Sequence, residues 1–417
     1  MTINSGPWLN AKRLRAHGLL LGVALWLVYI WTLSTPTLRD RNENLKGTDF
    51  LHLYTLGTLA DEHRGADLYD MNAQAAVAAR RVPDAAGIRY LPLYPPQVSI
   101  LFAPLARLSY GWALALWWTC SALIYAGCCY AVWRACPNLR GYGGTVTVLA
   151  IAFPAFFHLI AWGQTSALAL ACFSLMLFLL RNRNDFAAGL ALGCLIFKPQ
   201  LGLAAAVVFI AIGPWKIVAG ALLSATAQLS VGVGYYGIDS LRQWLRMMVN
   251  VRSVVPLLEP RPYQTHCLRT FWSMLVAWPH VAFVLYVLSA GAVLGLTIGV
   301  WRRSEHLALR YSALLVATVL VSPHLTVYDL VILAPAFLLL ADWLIARGRA
   351  SGDCPMGITL YCVYLFPLLG PYVRWIPFHW IRVQPSVVAM ALVVLMLWCA
   401  ARREAQEHLA RLAEQKS

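Results

Sequence analysis

The stretch Gly18-Leu19-Leu20-Leu21-Gly22-Val23-Ala24-Leu25-Trp26-Leu27-Val28-Tyr29-Ile30-Trp31-Thr32-Leu33-Ser34 decides the fold class. It is 17 residues of almost unbroken apolar sequence, preceded by Lys12, Arg13 and Arg15. A helix of this length spans most of the roughly 30 Å of bilayer hydrocarbon. No clear small-x-small cleavage site follows and the run is long for a signal-peptide core, so it reads as an uncleaved first span. The rest of the chain repeats the theme. Hydrophobic residues make up 60% of its 417 residues and charged residues only 12%, where soluble domains carry about 25% charged. A chain this apolar cannot cover a water-facing surface, and it is expected to be one integral membrane domain over residues 1–417.

The net charge of +15 does not indicate nucleic acid. The basic residues sit in small groups at the ends of apolar runs, such as Arg302-Arg303 and Arg402-Arg403. Most of the 10 cysteines lie within apolar runs, where Cys behaves as a small hydrophobe. No paired C-x-x-C spacing suggests a zinc site or a disulfide framework.

Working outward from the first span, a polar segment at 35–96 is expected to carry two surface helices, near 50–64 and 72–81. A half-span at 97–108 leads to a second full span at 111–133. Further runs fall at 143–160, 165–180, 186–197, 200–213 and 216–236, then a second polar segment at 237–270 and an interfacial aromatic piece at 271–278. The last runs are 281–301, 307–321, 326–345, 357–372 and 384–401, followed by a charged tail. With the N-terminus in the cytoplasm, the inner loops hold Lys12, Arg134, Arg140, Arg181, Arg183, Lys216, Arg310, Arg347 and Arg349. The short outer loops hold few cations, with Lys198, Arg374 and Arg382 as exceptions. This positive-inside pattern supports twelve crossings with both termini cytoplasmic. The runs between 186 and 213 are short, and Lys198-Pro199 could break one re-entrant element there.

In this topology the unusual polar residues share the outer face. Asp49, in Gly47-Thr48-Asp49-Phe50-Leu51-His52-Leu53-Tyr54, follows an apolar helix and is flanked by aromatics. Most loop aspartates are simply solvated; a partly buried one has a tuned proton affinity and can serve as a general base. Lys198, between two apolar runs and before the helix-breaking Pro199, is either a snorkelling lysine or a fixed cation for phosphate. His324 and Tyr328 are four apart and share a face if a helix has begun by His324, while Asp329 inside a nominal span must be paired or face a cavity. Gln164 and Gln200, at span ends, suit sugar hydroxyls or helix caps, and Tyr94 before Pro95-Pro96 could stack on a ligand. Arg89, Arg261 and Arg269 are outer-face cations whose ordinary use is lipid headgroups. Asp49 with His52 keeps a metal open, although no common metal spacing is present. There is no G-x-x-x-x-G-K-[ST] loop and no soluble segment large enough for a nucleotide-sugar domain, so a donor must arrive already activated in the membrane.

These residues form a pattern. Gly47-Thr48-Asp49-Phe50 with Tyr54, Asp67-Leu68-Tyr69-Asp70, Tyr94-Pro95-Pro96 with Pro104-Leu105, Gly163-Gln164, Lys198-Pro199-Gln200, and Ser322-Pro323-His324 with Tyr328-Asp329 together resemble glycosyltransferase family 87. Gly57-Thr58-Leu59 departs from the alanine-rich helix usual there. The resemblance implies an all-α polytopic membrane protein of the GT-C type, a bundle of about twelve helices whose long first outer loop bears amphipathic helices. It implies an enzyme of the bacterial cytoplasmic membrane that moves a hexose, mannose in the best-known members, from a polyprenyl-phosphate-linked sugar to a lipid or glycan acceptor on the periplasmic face. Asp49 then matches the inverting general base. His324 would assist it or bind the donor, Lys198, Gln200, Gln164, Tyr94, Arg89 and Tyr328 would line the donor phosphate and sugar, and His52, Asp329 and Arg269 would support them. No nucleotide cofactor is implied and no metal is required. A secondary transporter or flippase of lipid-linked sugars is the competing class, but the long segment after the first span has no repeat later in the chain. An oligosaccharide polymerase or ligase is the other, kept open by five arginines (Arg252 among them) and no lysine in 237–270.

Overall fold

The computed structural model describes residues 10–250, 259, 261–348, 355–370 and 383–414. Arg252, Arg349, Arg374 and Arg382, and the end of the 357–372 run, lie outside them. The described chain is helical, with two isolated bridges, Arg39 with Leu45 and Thr265 with Thr326, and no strands.

Helix α1 (Ala11–Leu33) begins where Asn10 accepts a hydrogen bond from the Arg13 amide at 3.0 Å. Leu20, Val23, Leu27 and Ile30 along it are exposed. An apolar face of that extent on a soluble protein would be an association site; on a bilayer-spanning helix it faces lipid. Six helices are long and apolar enough to cross a membrane: α1, Tyr110–Arg134, Trp215–Tyr236, Pro279–Arg303, Val327–Ala346 and Pro385–His408. A seventh crossing exists if Pro137–Ile151 and Pro154–Trp162, bent by 45°, are one span. Pro154 lacks the amide that would continue the ladder, which accounts for the break. The other expected crossings are apolar helices of 10–17 residues, shorter than the hydrocarbon is thick. Among the described residues, length alone therefore supports six or seven crossings, and a count of twelve requires the shorter apolar helices to cross as well.

Two expectations need correction. Helix α2 (Thr48–Asp61) is not a surface helix: every residue from Phe50 to Ala60 is buried. It packs into a groove between α4 (Gln97–Ala106) and α5 (Tyr110–Arg134), with Phe50, Tyr54, Phe102 and Trp117 in one cluster. Gly57 makes this possible, because a Cβ there would run into the Phe102 carbonyl. The departure at Gly57-Thr58-Leu59 is thus a packing requirement. Helix α3 (Met71–Arg81), by contrast, keeps an exposed polar face and ends on Arg80 and Arg81. Second, His324 and Tyr328 do not share a helical face. The helix ending at Val321 stops before Ser322, and the next turns start only at Val327, as a 3-10 segment Val327–Leu333 closed by a Thr326–Asp329 capping box. The chain bends at Pro323 and His324 instead, where the Ser322 hydroxyl donates to the His324 carbonyl at 2.8 Å and the His266 amide bonds the Leu325 carbonyl at 2.9 Å.

The region between 185 and 212 forms two short elements. Helix α9 (Asp185–Gly193) runs into a 3-10 turn Cys194–Phe197; Lys198 follows and Pro199 opens helix α10 (Pro199–Ile212). Pro at the first helical position loses no bond the helix would have made. Gly189 and Gly193 let α9 lie directly against the backbone of Trp215–Tyr236.

Candidate active site

Two left-handed glycines bring the site together. Gly47 precedes α2 at φ 63° and its carbonyl accepts from the Tyr110 hydroxyl at 3.0 Å. Gly163 ends the helix Pro154–Trp162 at φ 70°, and its carbonyl accepts from Trp117 Nε1 at 2.9 Å. Side chains are rare at such φ values. Space also forbids them: a Cβ on Gly47 would strike Leu114, and one on Gly163 would lie 2.7 Å from Phe50 Cβ. The two turns close on neighbouring side chains of α5, with Leu114 against both, and the residues just beyond them meet. Gln164 Nε2 donates to Asp49 Oδ2 at 2.7 Å, across 115 positions of sequence.

The contact continues inward. Gln164 Oε1 accepts from Lys198 Nζ, from the Tyr94 hydroxyl and from the Thr165 amide, each at 3.3 Å. Lys198 Nζ also donates to Ser166 Oγ at 3.1 Å and to Asp329 Oδ1 at 2.8 Å. The Ser166 hydroxyl donates to the same Asp329 oxygen. Lys198 and Asp329 are both buried, at 6% and 2% exposure, and the Tyr328 ring centre lies 5.0 Å from Lys198 Nζ. An ammonium has three N–H groups, and here three protein acceptors take them.

Asp49 has a different balance. It is partly exposed, it lies in the first turn of α2, and Oδ2 makes its hydrogen bond to a neutral amide. Among the described residues no hydrogen bond reaches Oδ1. Burial pushes its carboxyl up to about 6, against the lowering pull of the Gln164 bond and the more distant Lys198 charge. Arg261, exposed in the polar segment 237–270, also reaches Asp49 with its charge. His52, one turn along α2, is buried and stacks on Tyr90 with centroids 5.0 Å apart and planes 4° apart. Burial lowers it to about 4, which favours the uncharged imidazole.

A model of glycosyltransferase family 87 matches residues 93–323, more than half of the chain. The chain belongs to glycosyltransferase family 87. Comparison with curated proteins and with solved structures gives no match. This membrane glycosyltransferase carries Tyr94, Gln164, Ser166, Lys198, Gln200 and Arg269 within the matched part. Asp49 and Asp329 fall outside it, but each is bonded to a residue inside it.

Other expected site residues stand apart from this network. His324 Nδ1 is 2.8 Å from Glu259 Oε1, which Arg269 also binds while its Nε holds the Pro323 carbonyl. Glu259 takes further bonds from the Thr270 hydroxyl at 3.1 and 3.2 Å. Burial alone pushes Glu259 up, but His324 and Arg269 outweigh it and leave the carboxyl below its ordinary value. Gln200 lies half-buried in the first turn of α10 and Arg89 is exposed before Tyr90; neither joins the Asp49 network. Among the described residues no three His, Cys, Asp or Glu side chains group as a metal site. Ser166, Thr165 and Glu259 join these clusters without any mark in the sequence. A serine or threonine after a span break carries no distinguishing signal, and Glu259 sits among prolines and arginines like any surface acid.

Beside the network lies a cavity of about 180 Å³, lined by Val98, Leu101, Phe102, Leu168, Phe197 and Thr165 together with Gln97 and Gln228. Thr165 touches the Tyr94 hydroxyl at 3.4 Å and Phe197 precedes Lys198, so the cavity abuts the site. Leu101 is 60% exposed, so the same wall reaches the bundle surface. Both amide atoms of Gln97 are buried without a hydrogen-bond partner.

Proposed function

We propose that this family 87 transferase moves a hexose, mannose in the first instance, from a polyprenyl-phosphate-linked sugar to a lipid-linked or glycan acceptor, with inversion. The observation that carries the reading is Asp49, a carboxylate held by a neutral amide with Oδ1 unbonded among the described residues. Oδ1 takes the proton of an acceptor hydroxyl as that oxygen forms a bond to the sugar C1. The bond from C1 to the phosphate oxygen breaks, and its electron pair leaves with polyprenyl phosphate. A base that titrates near 6 is ionised at neutral pH and still basic enough to share the proton in the transition state. The positive charge that departing phosphate needs is assigned to Arg261, whose field reaches Asp49. His324, with Glu259 and Arg269, anchors the second outer segment around the donor. The apolar cavity beside Thr165 and Phe197 supports a donor that arrives with a lipid tail.

The same reading places the enzyme in the bacterial cytoplasmic membrane, with twelve crossings, both termini cytoplasmic and the Asp49 site on the periplasmic face. The basic groups at Lys12, Arg134, Arg181 and Arg302 support that orientation. The test is to incubate the purified protein in lipid with a panel of polyprenyl-phosphate sugars, a nucleotide-sugar panel and candidate glycan acceptors. The reading expects release of polyprenyl phosphate with one sugar and an inverted product. Transfer from a nucleotide sugar, or a product that retains the anomeric configuration, would overturn it.

A further inference from the structure

Lys198 is the residue that phosphate binding would use first, and its surroundings argue for another task. Its three N–H groups are directed at Gln164 Oε1, Ser166 Oγ and Asp329 Oδ1, and its charge is paired with Asp329 in a buried site. A donor phosphate would have to displace one of these acceptors and leave it unpaired. What the ammonium does in this structure is to hold an amide. With Lys198, Tyr94 and the Thr165 amide all donating to Gln164 Oε1, the amide has one orientation available. Turned over, its NH₂ would point at an ammonium. Its Nε2 must therefore face Asp49, whose Oδ2 it binds at 2.7 Å.

We propose that Gln164 is a positioning residue, locked by the buried Lys198–Asp329 pair so that it fixes Asp49 Oδ2 and leaves Oδ1 as the proton-accepting atom. This rests on the reading of Asp49 as the base. The brace does what a direct Lys198–Asp49 ion pair would not. A cation bonded to the base would hold its proton affinity low, whereas an amide orients it and keeps it basic. The charge stays one residue further in, balanced by Asp329. Two turns of chain set the register of the brace: the left-handed Gly163 puts Gln164 opposite Asp49, and Lys198 enters from the break before Pro199.

The test reads Asp49 itself and needs no substrate. The protonated carboxyl of Asp49 is followed by infrared pH titration of the whole protein in lipid nanodiscs, its band assigned by its loss in Asp49→Asn. The charged groups that reach Asp49 are Lys198, Asp329 and Arg261. The phenols of Tyr90, Tyr94, Tyr110 and Tyr328 also lie within its field; a phenol ordinarily ionises at about 10, above the range scanned. Gln164→Leu removes the hydrogen bond that favours the ionised form, so the titration moves to higher pH. Gln164→Glu keeps the shape, adds a like charge, and moves it up by at least about one pH unit. The same variants, assayed for transfer, lose kcat with little change in the KM for donor, and the acid limb follows the infrared titration.

An unmoved Asp49 band in both variants overturns the proposal, and so does a rise in donor KM at unchanged kcat, which is the signature of sugar binding by Gln164. Gln164→Glu decides the matter if Gln164→Leu does not fold. The underlying reading fails separately: Asp49→Asn that transfers at the wild-type rate removes Asp49 as base, whatever the Gln164 variants do to its titration.

Discussion

The two acidic clusters, around Asp49 and around Glu259, are made of similar parts and behave differently. Asp49 receives a hydrogen bond from a neutral amide, its other oxygen has no partner among the described residues, and its carboxyl rises to about 6. Glu259 receives Arg269, His324 and Thr270 together, and its carboxyl falls below the ordinary value. Burial pushes both up; the partner decides the outcome. A carboxylate tied to a guanidinium is a fastener. A carboxylate tied to an amide keeps its basicity and can accept a proton. The first cluster does contain a cation, but Lys198 is bonded to Asp329 and Gln164 stands between it and Asp49, so its charge acts on Asp49 from a distance and not through a hydrogen bond.

The largest expected effect breaks the brace in the first cluster. Lys198→Met leaves Asp329 buried without its cation, and the loss of one partner of a buried pair destabilises by about 3–5 kcal/mol. Thermal unfolding in detergent measures it, and Lys198→Met combined with Asp329→Asn recovers much of the loss. A single variant as stable as wild type would mean that the pair braces nothing.

Next is the fastener itself. Glu259→Gln removes the charge from the Arg269 and His324 contacts, a loss of about 1.5–3 kcal/mol by the usual worth of hydrogen bonds to charged groups. The acid limb of transfer stays where Asp49 sets it. A limb that moved with Glu259→Gln would make the second cluster part of the proton chemistry and erase the contrast between the two.

The smallest effect tests the platform under Asp49. Gly57→Ala forces a methyl against the Phe102 carbonyl where α2 meets α4, an overpacking cost of about 1–3 kcal/mol. Circular dichroism melts measure it. An unchanged melt would show that α2 is free to shift and that its burial does not fix Asp49.

Most of the helices are legible in the amino-acid sequence. The apolar runs mark them closely: 111–133 is Tyr110–Arg134, and 216–236 is Trp215–Tyr236. Hydropathy alone places such elements because lipid leaves the backbone few alternatives. The polar residues at span breaks include Asp49, Gln164, Lys198 and Asp329, which the fold links in one hydrogen-bonded chain. Their pairing is not legible. Lys198 and Asp329 are 131 positions apart, and nothing local tells a lysine which acid it meets. His324 illustrates the converse. Its spacing to Tyr328 suggests a shared helical face, but the chain bends at Pro323 and His324 before the next helical turn begins, and His324 meets Glu259, 65 positions earlier. The burial of α2 is hidden for another reason. A helix wedged between neighbours on all sides needs no polar face, so Phe50-Leu51-His52-Leu53-Tyr54 reads equally as interface or interior.

Whether Asp49 is the base is tested most directly by Asp49→Asn. The variant keeps the size of the side chain and its place beside Gln164. Sugar transfer by the purified, folded variant is predicted to fall by about 10²–10⁴-fold, the range that general-base catalysis supplies, with its unfolding temperature close to that of wild type. A folded Asp49→Asn protein that still transfers sugar within a few-fold of the wild-type rate would contradict the assignment.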